Sequence, residues 1–415
     1  MWISWRLFLS VKERQKIRVK IIMRKPYYII GGGIIGTAIA REIRRRDLGD
    51  VLVLEKEDRL GMHASGRNSG VIHSGINQKP NTLKADICVK GSKMLRDYCE
   101  GYSGLYKKCG TIVTASNDGD KSRLKRLLEN GLACGVKGLR IMGREELLEK
   151  EPNASGDEAI FSPDGAIVDS EMLLISMASE ARSLGAEYIL GCEVFGVRDN
   201  RLLTNKGVFE FGHAVNCAGL YADEIARFFN LETAKNLKVI PFKGDYKQVD
   251  ININSMIYHP PQHTEFPFLG VHLTKTIDGR VLAGPTSTLS WRGRESYDGE
   301  YNLKEMGEIL FSRNFRRLVK NKEFRKLAWE NAQISYNNRR FIKEINTLLN
   351  FSIEKREVKH YMSGIRAQMV SREGKMVNDF LIEQAKDSTH ILNAVSPGMT
   401  CCLAFAEYVV ENYVK

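Results

Sequence analysis

Residues 27–55 read YYIIGGGIIGTAIAREIRRRDLGDVLVLE, and the fold turns on them. Tyr27–Ile30 is a short apolar run that stops at a glycine cluster, the pattern of a buried strand. Residues 36–47 are apolar early and basic late, as a helix dipole favours, and Gly49 is placed to cap them. Val51–Glu55 is a second buried strand. Strand, tight turn, helix and strand make a βαβ unit, which requires a parallel sheet. Within it Gly31, Gly33 and Gly36 fit the spacing GxGxxG. The first permits the turn, the second lets main chain approach a pyrophosphate, and the third lets helix pack on strand. Phosphates would then face the helix N-terminus at Ile34 and Ile35. Glu55 lies 19 residues beyond Gly36, where it can accept hydrogen bonds from a ribose diol. The glycines alone would equally suit a bare structural turn. The flanking strand, helix and acid together read as dinucleotide binding, without separating NAD from FAD.

The rest of the chain bounds the problem. It has 415 residues, 43% hydrophobic and 27% charged, enough apolar side chain for two or three domains with large cores. Formal net charge is +12, but residues 1–25 supply +7 of it. The remainder is mildly basic, which suits an anionic cofactor or acidic substrate and is no nucleic-acid footprint. Eight cysteines without paired spacing read as reduced thiols of a cytoplasmic protein. No apolar run approaches the length of a membrane span. Residues 1–23 are basic and amphipathic. They read first as an upstream start-site extension with Met23 as the natural beginning. The second reading places residues 1–22 as a peripheral contact on the inner face of the cell membrane. Helices are expected over 82–99, 120–150 and 171–185, with mostly helical structure over 302–350. Antiparallel strands are expected over 239–290, and strand, Ser-Pro-Gly turn and helix over 390–415.

Further motifs follow in order. Residues 62–100 read MHASGRNSGVIHSGINQKPNTLKADICVKGSKMLRDYCE. After them come KCGTIVTAS (108–116), KEPN (150–153), GAIVDSEML (165–173), NCAGLYAD (216–223), PFKGDY (241–246), PFLGVHLTKTIDG (267–279), AGP (283–285), SGIRAQMVSREGKMVNDFL (363–381) and NAVSPGMT (393–400). This series resembles the L-2-hydroxyglutarate dehydrogenases and oxidases of the D-amino-acid-oxidase-like flavoproteins, from Tyr27 onward. Arg67, Asn77-Gln78 and Thr286-Ser287 depart from that pattern. The GRN and HSG pieces also resemble FAD-dependent glycerol-3-phosphate dehydrogenases.

The resemblance implies an α/β fold: a Rossmann-like (GR2-type) FAD-binding domain of residues 24–90, 151–225 and 355–415. Interleaved with it would be an α+β substrate domain of residues 91–150 and 226–354 on a mixed or antiparallel sheet. It implies noncovalent FAD, touched by Lys56, Asn68, Ser69, Val194, Ala218, Gly219 and Gly364 besides the glycine turn. Pro397, Gly398, Met399 and Thr400 would open a helix whose N-terminus stabilises negative charge on the flavin. Oxidising a 2-hydroxy acid needs a base for the hydroxyl proton and a cation for the carboxylate. His272 is the first choice of base and His73 the second. A strand histidine is otherwise more often a satisfied core residue. Arg366 is the carboxylate clamp and Lys243 the group for a distal carboxylate, although each also suits an ordinary surface role. Electrons would pass to quinone or oxygen. The alternatives are glycerol-3-phosphate oxidation, with Lys243, Arg292, Arg294 and Arg366 around a phosphate, and a non-catalytic flavin-binding subunit of a membrane-associated complex.

Overall fold

A computed structural model describes residues 26–262, 266, 270–297 and 299–414. The extension of residues 1–23, and with it the expected membrane contact, lies outside them.

The βαβ unit forms as its pattern requires. β1 (Tyr27–Ile30) and β2 (Val51–Leu54) pair in parallel around α1 (Ile34–Arg45). Ile29, Ile39, Ile43, Val51 and Val53 bury the apolar side of the unit. α1 begins and ends two residues earlier than expected. Its left-handed residue is Asp47 (φ 52°) rather than Gly49. Main-chain bonds from Asp47 to Arg44 and from Leu48 to Ile43 close that end, and Asp is among the few residues other than glycine that tolerate the conformation.

Along the chain follow α2 (Leu83–Glu100), β3 (Ala186–Ile189), β4 (His213–Asn216), β5 (Leu237–Val249), β6 (His272–Lys275), β7 (Val358–Ser371), β8 (Leu381–Ala385), β9 (Ser388–Asn393) and α3 (Gly398–Tyr413). Six strands form one sheet in the order β8–β9–β4–β1–β2–β3, parallel throughout except at the β8 edge. α3, α2 and α1 pack together on it. A nine-stranded sheet forms the second lobe, holding β5, β6 and β7 with six further strands. It is mixed, because Met256–Tyr258 runs parallel to Thr111–Ala115 while its other pairs are antiparallel. β5 and β7 pair along nearly their whole length, from Leu237 opposite Ser371 to Val249 opposite Val358.

Three expected domain limits move. α2 runs unbroken across 90/91 and packs along α3, so residues 91–100 stay with the Rossmann-like lobe. Glu158–Ser162 pairs with Thr111–Ala115, and β7 with β5, so both strands belong to the second sheet. A helix or ladder cannot be divided where composition changes. The helix expected over 120–150 ends at Ala133. Gly135 and Gly138 take positive φ, and strand Arg140–Gly143 intervenes before helix Arg144–Lys150. Residues 303–348 form four short helices.

Candidate active site

Two cavities lie against the C-terminal end of the parallel strands. One, of about 650 Å³, is bounded by the glycine turn, Glu55, Lys56, Val194 and Ala218. The other, of about 280 Å³, is bounded by His73, His272, Arg366 and the start of α3. Gly33, Ala64, Ser65, Cys217, Gly219 and Ala367 line both, so the two make one elongated channel. Of the residues expected to bind cofactor, all but Gly36 line it. Gly36 acts in packing: a Cβ there would fall 2.0 Å from the Gly31 carbonyl oxygen.

At the larger end, Glu55 is held by main chain. Its Oε2 accepts from Gly32 N–H (2.8 Å) and its Oε1 from Glu57 N–H (3.1 Å). Both oxygens keep further lone pairs for a diol. Lys56 is drawn to the carboxylates of Glu57 (2.6 Å) and Glu295. It sits in the one acid–imidazole cluster found among the described residues, Glu57, His63 and Glu295, and makes that cluster an ion pair. Ser65 escaped the sequence reading. Its Oγ accepts from Ile34 N–H (2.9 Å) and ties the loop after β2 to the helix start. Its one sequence signal was a Ser-Gly pair. Asn68 spends its side chain on loop main chain, donating to the Ala64 and Ser65 carbonyls and accepting from Gly70 N–H.

At the smaller end His73, His272 and Arg366 line one cavity. His272 opens β6. Its Nδ1–H donates to the Gly270 carbonyl at 3.0 Å, which fixes the tautomer and leaves Nε2 with its lone pair. The ring stacks on Tyr258, centroids 4.2 Å apart and planes 16° apart. Burial pushes the imidazole down to about 3; the Gly270 bond opposes this, and His73 and Arg366 reinforce it. His73 is likewise pushed down by burial, to about 4. Its main-chain N–H donates to Thr400 Oγ1 (3.1 Å), which in turn donates to the Val71 carbonyl, so the His73 loop is pinned to the first turn of α3.

Arg366 stands on β7. Side chains alternate along a strand, so Gly364 and Arg366 share a face, with Gly244 and Tyr246 on the matching face of β5. All four line the cavity. Gly364 must be glycine, because a Cβ would fall 2.2 Å from the Arg67 carbonyl oxygen. Burial lowers the Arg366 guanidinium from its ordinary value, against the opposing pull of Tyr246. A second missed residue is Lys84, buried at the start of α2. Its Nζ donates to the Ser396 carbonyl (3.1 Å) and steadies the Ser-Pro-Gly turn before α3. Burial holds it down, to about 8, against Asp379. Its signal was a lysine inside the apolar stripe of α2. α3 starts with Pro397 at its N-cap and no side-chain cap.

Lys243 does not join this group. It alternates with Gly244 and Tyr246, so it leaves by the other face of β5. Its Nζ donates to the Tyr297 carbonyl and lies 3.9 Å from Asp245. Arg294 is wholly buried against Asp223 and Glu224, and Arg292 lies on Trp291 and Tyr301. Of the four cations that could surround a phosphate, only Arg366 lines the cavity. The eight cysteines are free.

The family model described as FAD dependent oxidoreductase (DAO) matches residues 27–412. The chain is 34% identical over 397 residues to L-2-hydroxyglutarate dehydrogenase of Indibacter alkaliphilus, covering 93% of this chain and 98% of that protein. It is 32% identical over 397 residues to L-2-hydroxyglutarate dehydrogenase of Escherichia coli, covering 93% and 92%. Among solved structures, the FAD-bound, dithionite-reduced L-alpha-glycerophosphate oxidase of Mycoplasma pneumoniae superposes with a TM-score of 0.71, covering 93% and 94% at 22% identity. That likeness is one of fold.

Proposed function

The chain belongs to the DAO family of FAD dependent oxidoreductases, and on that premise we propose that it oxidises L-2-hydroxyglutarate, or a closely similar 2-hydroxy acid, to the 2-oxo acid. FAD fits the channel. A diol-accepting carboxylate stands at one end, and at the other a helix N-terminus without a side-chain cap faces the reacting groups, with a glycine-cradled helix start between them. Glu55 would hold the adenosine ribose, the α1 N-terminus the pyrophosphate, and the start of α3 the flavin. When bound, FAD supplies the hydride acceptor.

The observation that carries the proposal is the pairing of His272 and Arg366 in one cavity. Arg366 binds the substrate carboxylate and orients the α-carbon. His272, already neutral and with Nδ1 committed to Gly270, takes the hydroxyl proton on Nε2. Glycerol 3-phosphate is disfavoured because three of the four cations expected around its phosphate, Lys243, Arg292 and Arg294, are turned elsewhere. The test is anaerobic mixing of the FAD-loaded protein with L-2-hydroxyglutarate. Loss of flavin colour with one equivalent of 2-oxoglutarate supports the proposal, and colour that persists overturns it.

For the electron acceptor we favour quinone at a membrane. Seven exposed cations, Arg313, Arg316, Arg317, Lys320, Lys322, Arg325 and Lys326, form no ion pair among the described residues. Phe311, Trp329 and Tyr336, in the same stretch of chain, are 76%, 67% and 75% exposed. That mixture suits an anionic bilayer surface. Among the described residues no helix is long and apolar enough to cross a membrane. Co-flotation with anionic but not neutral vesicles is the expected result, and equal behaviour with both contradicts it.

A further inference from the structure

The cavity that holds His272 and Arg366 carries a second guanidinium. Arg67 lies in the loop between β2 and α2. Its Nε donates to the Met62 carbonyl (2.9 Å) and its Nη1 to the Ser363 carbonyl (3.4 Å). Its Cζ lies 4.1 Å from the centroid of the Tyr297 ring, on which it stacks. Three anchors hold a long side chain in one place, so little rotamer freedom remains to be lost on binding a ligand. None of them neutralises it. Among the described residues Arg67 makes no ion pair, and the cavity lining contains no Asp or Glu. A positive charge drawn partly out of water, with donors but no counter-ion, is completed by an anion.

The position of Arg67 says which anion. Its main chain packs against Gly364, on the strand face that also carries Arg366, one alternation further along β7. Both residues therefore line the same small cavity. Arg67 lines only the reacting cavity, whereas Ser65, beside the glycine turn, lines both. Ile34 and Ile35, at the expected pyrophosphate position, line the same cavity, and retention of FAD by the variants separates the two roles. Lys243, first expected to bind a distal carboxylate, instead donates to the carbonyl of Tyr297, and so supports the ring on which Arg67 lies.

We propose that Arg67 is a specificity-determining residue that binds the distal carboxylate of a dicarboxylic 2-hydroxy acid, while Arg366 holds the carboxylate next to the reacting carbon. This rests on the function proposed above and supplies the reason for a dicarboxylate rather than a monocarboxylate. The planar, stacked fork is the feature that matters, so lysine is an incomplete replacement.

The test uses FAD-loaded wild type, Arg67→Gln and Arg67→Lys. Glutarate and butyrate are titrated against flavin absorbance, and kcat/KM is measured for L-2-hydroxyglutarate and L-2-hydroxybutyrate. Arg67→Gln is expected to weaken glutarate and to lower kcat/KM for L-2-hydroxyglutarate roughly 10- to 100-fold, the loss of a charge-assisted hydrogen-bonded pair. Butyrate and L-2-hydroxybutyrate are expected to stay as in wild type, and Arg67→Lys to fall between. Equal losses on mono- and dicarboxylates, no loss on either, or variants that shed FAD would each overturn the assignment. A wild type that oxidises neither acid overturns the proposed function instead, and the glutarate-to-butyrate affinity ratio still decides the role of Arg67.

Discussion

The two ends of the channel are built with opposite charge. The smaller cavity is lined by Arg67, Arg366 and two imidazoles, with no acid among the described residues. The larger is lined by six glutamates, Glu55 among them, with Lys56, Lys304 and His63. Carboxylates suit the end that must accept hydrogen bonds from hydroxyl groups. At the reacting end a carboxylate would do harm twice, repelling an anionic substrate and pulling the imidazoles toward protonation. Without one, burial alone keeps His73 neutral, and burial reinforced by His73 and Arg366 keeps His272 neutral. On the function proposed, His272 then meets the substrate as a neutral base.

This contrast can be broken in graded steps. Removing the base at the cationic end should cost most. His272→Ala is expected to slow flavin reduction by about 10²–10⁴-fold, the usual contribution of a positioned base. The FAD content should stay at wild-type level, because the acidic end is untouched. Stopped-flow absorbance of the yellow holoprotein checks both. Arg366→Leu removes a cation and should lower kcat/KM roughly 100-fold, about 3 kcal/mol, with KM rising. An unchanged KM would remove Arg366 from substrate binding. Acid should act on the neutral imidazoles. His73 and His272 are held at about 4 and about 3, below the unfolded value near 6.5. As pH falls through 6.5 the unfolded chain gains protons that the folded chain refuses, so stability is lost. The expected loss is about 1–2 kcal/mol per imidazole by pH 5. Denaturation midpoints at pH 7 and pH 5 measure it, and His73→Asn should shrink the difference. The smallest effect belongs to Lys243→Met, which should cost about 0–1 kcal/mol in stability, since its partners are partly exposed. A loss as large as that of Arg366→Leu would restore Lys243 to the site.

What could be read beforehand follows from the kind of signal involved. The glycine turn, Glu55 and the Ser-Pro-Gly helix start were legible because each is local: a spacing, a strand end, a turn before an apolar run. Lys243 was misplaced because facing depends on register, and PFKGDY alone does not say which face of its strand meets the cavity. The alternation was nonetheless usable, since Gly244 and Tyr246 cannot share a face with Lys243. Tyr246, Tyr258 and Tyr297 were missed because their importance comes from what lies across from them in other segments: Ser69, His272 and Arg67. Helix α1 was expected to end at a glycine, yet Asp47 does the same work with its own tolerance of positive φ.

The most direct test compares two substrates on one protein: the rates at which L-2-hydroxyglutarate and glycerol 3-phosphate, each supplied anaerobically, bleach the bound flavin. A cavity with an imidazole base, two guanidiniums and no acid, whose other cations point away, predicts rapid bleaching by the dicarboxylate and none by the phosphate ester. Bleaching by glycerol 3-phosphate alone would contradict it.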